Sequence, residues 1–177
     1  LWPPPRGVEP GNPASVTLEV TGAGDCVHGC LSGILLGDLG EDSQARLLGT
    51  GRIRPVDVVK VAHHGSADQS ARLYEALHAT VGLIGVGQGN DYGHPTAKLL
   101  GILAAVGTRP IRSDLDGMAL IAPGERPGEI RVWTEKPEDL ALPDLEIKAV
   151  HGHHFGKRLA ETLDLQRQFA HGHLRPP

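Results

Sequence analysis

Two adjacent imidazoles, His63 and His64, follow the apolar run Val58-Val59-Lys60-Val61-Ala62 and lead into Gly65-Ser66. Imidazoles at the end of a buried strand sit where metal chemistry is usually done, because neutral imidazole is the commonest metal ligand. A carboxylate, Asp38, ends a second apolar run in Leu35-Leu36-Gly37-Asp38. Asp binds Zn, Mn or Fe well; its plainer role here is a turn residue capping the next helix. A third imidazole, His94, closes the glycine-rich stretch from Gly85 to Gly93 and precedes Pro95. Such a loop brings backbone N–H groups to an anion, and a helix start adds its dipole; a simple strand-to-helix turn is the alternative. Neighbours on extended backbone point to opposite sides. One of His63 and His64 is therefore expected to ligate a given metal, unless the loop turns there. The other is left for a second metal, a phosphate or a carboxylate that supports a ligand. Ser66 adjoins His64, but sequence neighbours rarely have the geometry of a nucleophile and its base.

Positioning these side chains requires alternating elements. Val16, Leu18 and Val20 alternate over residues 15–20 and predict a half-buried strand, followed by a second apolar run ending at Leu36 in a hairpin or meander. A short helix is expected over Glu41–Leu48, a strand buried on both faces over Val56–Ala62, a helix over Asp68–Ala79 and another buried strand over Val81–Val86. Pro95 suits the first helical position and Gly107 the stop. Strands near 109–112, 118–122 and 129–133 complete an α/β sheet with helices packed on it. From Glu135 the texture changes. Residues 1–134 read as one domain. Residues 135–177 read as a linker and a tail holding His151, His153, His154, His171 and His173, with a helix expected around 157–169.

Composition sets outer limits. The chain has 177 residues, 40% of them hydrophobic and 3% aromatic, so aliphatic side chains must fill the core. A net charge of −4 excludes holding nucleic acid by bulk electrostatics, although local metal ions can supply positive charge. Arg46, Arg52, Arg54 and Lys60 form the best basic group and read as solvated surface. Cys26 and Cys30 flank His28 at a spacing that matches no standard zinc site; buried or inert thiols are expected, with one disulfide allowed. No apolar run approaches the ~20 residues of a membrane span. The chain starts at Leu1 and its single Met is Met118, which reads as a piece of a longer protein.

The segments Asn12-x-x-Ser15-Val16-x-Leu18, Leu35-Leu36-Gly37-Asp38, Asp57 to Ser66, Asn90-x-Tyr92-Gly93-His94-Pro95 and Asp114-x-Asp116-Gly117 occur in that order. The ordered set resembles the metallo-β-lactamase-like domain of ComEC-type competence proteins, the DNA-uptake channel family, over roughly residues 10–122. The resemblance implies an α/β fold, an αββα metallo-β-lactamase-like sandwich, here lacking its N-terminal half. It implies a bacterial metal-dependent hydrolase, a phosphodiesterase or DNA nuclease using zinc or manganese, with two ions in the complete domain. Asp38 would be a bridging carboxylate, and His63 or His64 with His94 would be ligands or phosphate-side groups. Ser66, Asn90 and Tyr92 would contact substrate. DNA, single strand or duplex, would be the substrate. The remainder of a polytopic cell-membrane protein would be the partner, with this domain outside the cytoplasm. The His-x-His-x-Asp-His segment that supplies most ligands in that fold is absent, and Thr96 stands where the family often has another His. Catalysis by this chain alone is therefore expected to be weak or absent, and its uncovered sheet face is expected to self-associate.

Two other classes compete. Gly85-x-Gly87-x-Gly89 after a strand, with Asp114 further on, suggests a dinucleotide-binding domain, although the third glycine is misplaced and several residues precede the helix. A non-catalytic or vestigial interaction domain is the other.

Overall fold

Three apolar runs become parallel neighbours because a helix follows each of them. The computed structural model describes residues 1–135 apart from Ala23, Asp25, Val27, His28 and Pro127. The predicted linker, His-rich tail and helix over 157–169 lie outside the described residues. Strand β1 (Leu18–Thr21) pairs antiparallel with β2 (Ser32–Leu35). Strands β3 (Val58–Lys60), β4 (Val81–Ile84) and β5 (Arg109–Arg112) then add in parallel, giving the order β1-β2-β3-β4-β5. Parallel neighbours need crossovers. These are helices α1 (Glu41–Gly49), α2 (Ala71–Leu77) and α3 (Ala97–Ala105). The loops leaving β2, β3 and β4 therefore all emerge at the same sheet edge, the carboxyl end of the strands, where open α/β sheets bind ligands. Those loops carry Asp38, His63 with His64, and His94.

The helices cover one sheet face. Ile34, Val59, Val61 and Ile84 pack with Leu47, Leu73, Leu77, Leu99 and Leu103 in the main core. On the other face, Val81 and Ile111 pack under Ile130 and Val132 of the hairpin formed by β6 (Ala119–Pro123) and β7 (Ile130–Thr134). A short helix, α4 (Ser113–Asp116), joins β5 to that hairpin. The result is a mixed α/β fold with helices on one side of the larger sheet and a two-stranded sheet on the other.

Several boundaries depart from the sequence reading. The run 56–62 yields only three strand residues, because Ala62–Gly65 coils into a 3-10 turn. The helix after His94 begins at Ala97, with the Thr96 hydroxyl accepting from Leu99 N; Pro95 lies before the cap instead of in the first turn. Cys26 and Cys30 are not thiols. Their Cα atoms lie 5.2 Å apart, inside the range a disulfide spans, and they are bonded to each other. The irregular lead-in is anchored: Trp2 is buried, bridges Thr17 and donates its indole N–H to Pro13 O. Arg46 lies over the Trp2 ring and Arg54 bonds the carbonyls of Gly51 and Ile53.

The largest departure concerns β1. Its alternation is present, yet Leu18 is 52% and Val20 56% exposed, with Val16 and Leu35 beside them also open. The register explains this: Leu18, Leu35, Lys60, Leu83 and Ile111 form one row across the sheet, and the β6–β7 hairpin covers only the Ile111 end. An apolar patch on an edge strand invites pairing with another chain. The expected result is reversible self-association in sedimentation velocity, reduced by the double substitution Leu18→Lys, Val20→Lys. A monomeric wild-type chain at high concentration would contradict it.

Candidate metal and phosphate site

Main-chain hydrogen bonds stitch the three loops together. His63 N donates to Gly37 O at 2.9 Å, next to Asp38. Gly65 O accepts from Thr96 N at 2.9 Å and from Thr96 Oγ1 at 3.1 Å, tying the histidine turn to the segment after His94. Ser113 Oγ accepts from Val86 N at 2.8 Å and donates to Val86 O at 2.6 Å, steadying the loop that leaves β4.

The histidine turn is locally strained. His63 has φ 46° and His64 φ 53°, left-handed values that only a few per cent of non-glycine residues adopt, His among the more tolerant of them. That reversal is the exception allowed for in the sequence: both rings face one cleft instead of opposite sides. Asp38, His63, His64, Asn90, Tyr92 and His94 all line an open cleft of about 810 Å³.

Each ring has a defined setting. His64 Nδ1 lies 2.6 Å from Gly85 O. A carbonyl only accepts, so Nδ1 carries the proton and Nε2 presents its lone pair when the ring is neutral. Nε2 lies 3.7 Å from Asp38 Oδ1. Two ligand atoms of one zinc, each about 2.0–2.2 Å from it, are at most about 4.3 Å apart. The His64–Asp38 pair therefore fits one cation, with Gly85 O in the supporting position usual for ligating histidines. His63 meets His94 edge-on, with ring centroids 6.0 Å apart. Among the described residues, His63 Nδ1 is buried without a hydrogen-bond partner, which suits a missing ligand. No group of three or more His, Cys, Asp or Glu is arranged to hold a metal among the described residues. The donors present make up part of a site.

Two residues named from the sequence have other occupations. Ser66 is buried, its hydroxyl accepting from Asp68 N and Gln69 Nε2 at 3.3 Å each, and it does not line the cleft. Asn90 lines it, but its amide holds the loop: Nδ2 donates to His94 O at 2.9 Å and Oδ1 accepts from His94 N at 3.3 Å. Lys60, grouped with surface arginines in the sequence, is half-buried beside the site. Its Nζ donates to Val61 O at 2.8 Å; burial lowers its pKa and the nearby Asp38 charge opposes that shift.

Nothing in the sequence pattern singles out Gln44 and Gln69. Both are buried. Gln69 Oε1 accepts from Gln44 Nε2 at 2.9 Å and from the Tyr74 hydroxyl at 2.7 Å, while Gln69 Nε2 donates to Ala62 O at 3.0 Å. Gln44 Oε1 accepts from Ser70 N at 2.9 Å. This network fastens both ends of the histidine turn to α1 and α2.

With the geometry in place, comparison with known proteins adds one relative. The chain is similar to ComE operon protein 3 of Bacillus subtilis (strain 168). Identity is 30% over 106 residues, 59% of this chain and 14% of that protein, so the chain spans about one seventh of its relative. No family model matches, and no solved structure matches significantly. The dinucleotide reading finds no physical footing. Nine residues lie between Gly87 and the start of α3, and Asp114 is held by Arg112 at 2.6 and 3.1 Å, which keeps its carboxyl below the usual range. No helix among the described residues is long and apolar enough to cross a membrane.

Proposed function

We propose that this chain carries part of a metal-dependent phosphodiesterase centre of a DNA-uptake competence protein, in an incomplete metallo-β-lactamase-like domain. The observation that carries the reading is the His64–Asp38 pair, 3.7 Å apart and pre-set by Gly85 O, in a cleft shared with His63 and His94. The similarity to ComE operon protein 3 supports the competence setting. In that setting the rest of the parent protein lies in the cell membrane and this domain outside the cytoplasm.

Asp38 and His64 would hold a divalent ion, zinc or manganese, with His63 and His94 toward a second ion or the phosphate. Such an ion would supply Lewis-acid stabilisation of negative charge on the phosphoryl oxygens and lower the pKa of bound water. The chain's own contribution is orientation. Gly85 O fixes the His64 tautomer, and the left-handed turn aims both imidazoles into one space.

The test is metal binding. In a chain whose tail histidines (His151, His153, His154, His171 and His173) are replaced by Asn, calorimetry is expected to detect one Zn²⁺ ion per chain. Asp38→Ala should weaken it by at least roughly 10- to 100-fold, the scale of losing even a residue that only supports a ligand. Nuclease turnover by this chain alone should stay slow, because only two donors meet one ion. Zn²⁺ binding that ignores Asp38→Ala would overturn the reading. That result would favour a non-catalytic interaction module, a reading that the two-donor set also supports.

A further inference from the structure

Tyr92 is 86% exposed in a chain whose other tyrosine, Tyr74, is fully buried with its hydroxyl bonded. Its ring is not loose on the surface. It lines the cleft, lies 6.3 Å from the His94 ring and is tilted 31° to it. His94 in turn meets His63. Three rings therefore step from the mouth of the cleft to the histidine turn. The Asn90 clamp on the backbone of His94 holds the loop that presents them.

The charge inventory decides what such a step can bind. Among the described residues no Lys or Arg lines the cleft, and Lys60, half-buried beside it, donates its ammonium to Val61 O. The whole chain carries −4. Backbone phosphates alone therefore give this surface little affinity, since that mode needs several Lys or Arg contacts. An exposed aromatic beside a site for one phosphate offers the other source of affinity, stacking on a base. A cleft of about 810 Å³ accommodates a nucleotide.

We propose that Tyr92, backed by His94, is a stacking step for an unpaired nucleobase, so that the cleft takes single-stranded nucleic acid in preference to duplex. The proposal rests on reading the cleft as a phosphodiesterase site. A base in a duplex has both faces covered by its neighbours, and exposing one costs a few kcal/mol of unstacking and unpairing. A single strand largely avoids that cost.

The test is metal-free binding, read by fluorescence anisotropy in EDTA at low salt. The probes are a short labelled oligodeoxyadenylate, its duplex with oligothymidylate, and an abasic strand of the same length. The single strand is expected to bind tightest. Tyr92→Ala should weaken it roughly 5- to 10-fold, the low end of base–aromatic stacking. Tyr92→Phe should stay within about twofold of wild type, and Tyr92→Ala should leave abasic binding unchanged. Equal binding of single strand and duplex, or no effect of Tyr92→Ala, overturns the proposal. Because no metal is present, this outcome is independent of the Asp38→Ala titration: loss of metal binding leaves the stacking result standing, and the reverse also holds.

Discussion

Gln69→Ala is expected to lower the unfolding free energy by about 3–5 kcal/mol, read from urea denaturation. Gln69 is 1% exposed and its amide serves both polarities, accepting from Gln44 and Tyr74 and donating to Ala62 O. Truncation leaves the Tyr74 hydroxyl and Ala62 O buried without these partners, at roughly 1–3 kcal/mol for each unsatisfied group. The emptied volume adds a cavity term. Burial pushes the Tyr74 hydroxyl pKa upward, so it remains a donor at any ordinary pH and cannot relieve the loss by ionising. Tyr74→Phe alone should cost about 1–2 kcal/mol, because Gln69 Oε1 keeps its bond from Gln44 while Ala62 N loses only its long, 3.4 Å bond to the hydroxyl. The double variant should be less destabilised than the sum of the two, since the orphaned hydroxyl is then gone. A loss below about 1 kcal/mol for Gln69→Ala would show that the network does not hold the turn.

That network also marks where the sequence stopped being informative. Asp38, His63, His64 and His94 were legible because each stands at the end of an apolar run or a glycine loop, and parallel β-α-β order sends such ends to one edge. Gln44 and Gln69 were not legible, because an amide in a polar stretch looks the same whether it faces water or a buried partner. The left-handed turn at His63 and His64 was open to either reading, since no glycine marks those two positions and tertiary bonds to Gly37 and Gly85 impose the conformation. In β1 the alternation of Leu18 and Val20 predicts burial, yet both are exposed. Alternation reports an apolar face, and only the covering layer decides whether that face is buried.

Gly65→Ala is the second large effect, expected at about 2–5 kcal/mol. Gly65 has φ +86°, where an alanine costs roughly 1–2 kcal/mol in backbone strain. The new Cβ would also stand 2.7 Å from Pro95 Cβ, 2.8 Å from Leu99 Cδ2 and 3.0 Å from Pro95 Cα. Pro95 and the buried Leu99 have little freedom to retreat, so overpacking adds about 1–3 kcal/mol. The relief available is separation of the histidine turn from the 94–97 segment, which breaks the bonds from Thr96 to Gly65 O and parts His63 from His94. Imidazole NMR signals of His63, His64 and His94 should therefore move as the melting temperature falls. Gly101→Ala is the matched control: it lies within α3, a Cβ there meets nothing within 4 Å, and about 0.5–1 kcal/mol of stabilisation is expected. If Gly65→Ala melts with wild type while Gly101→Ala gains stability, the close seat of the turn against Pro95 is wrong. The convergence of the three loops on one cleft then loses its physical basis.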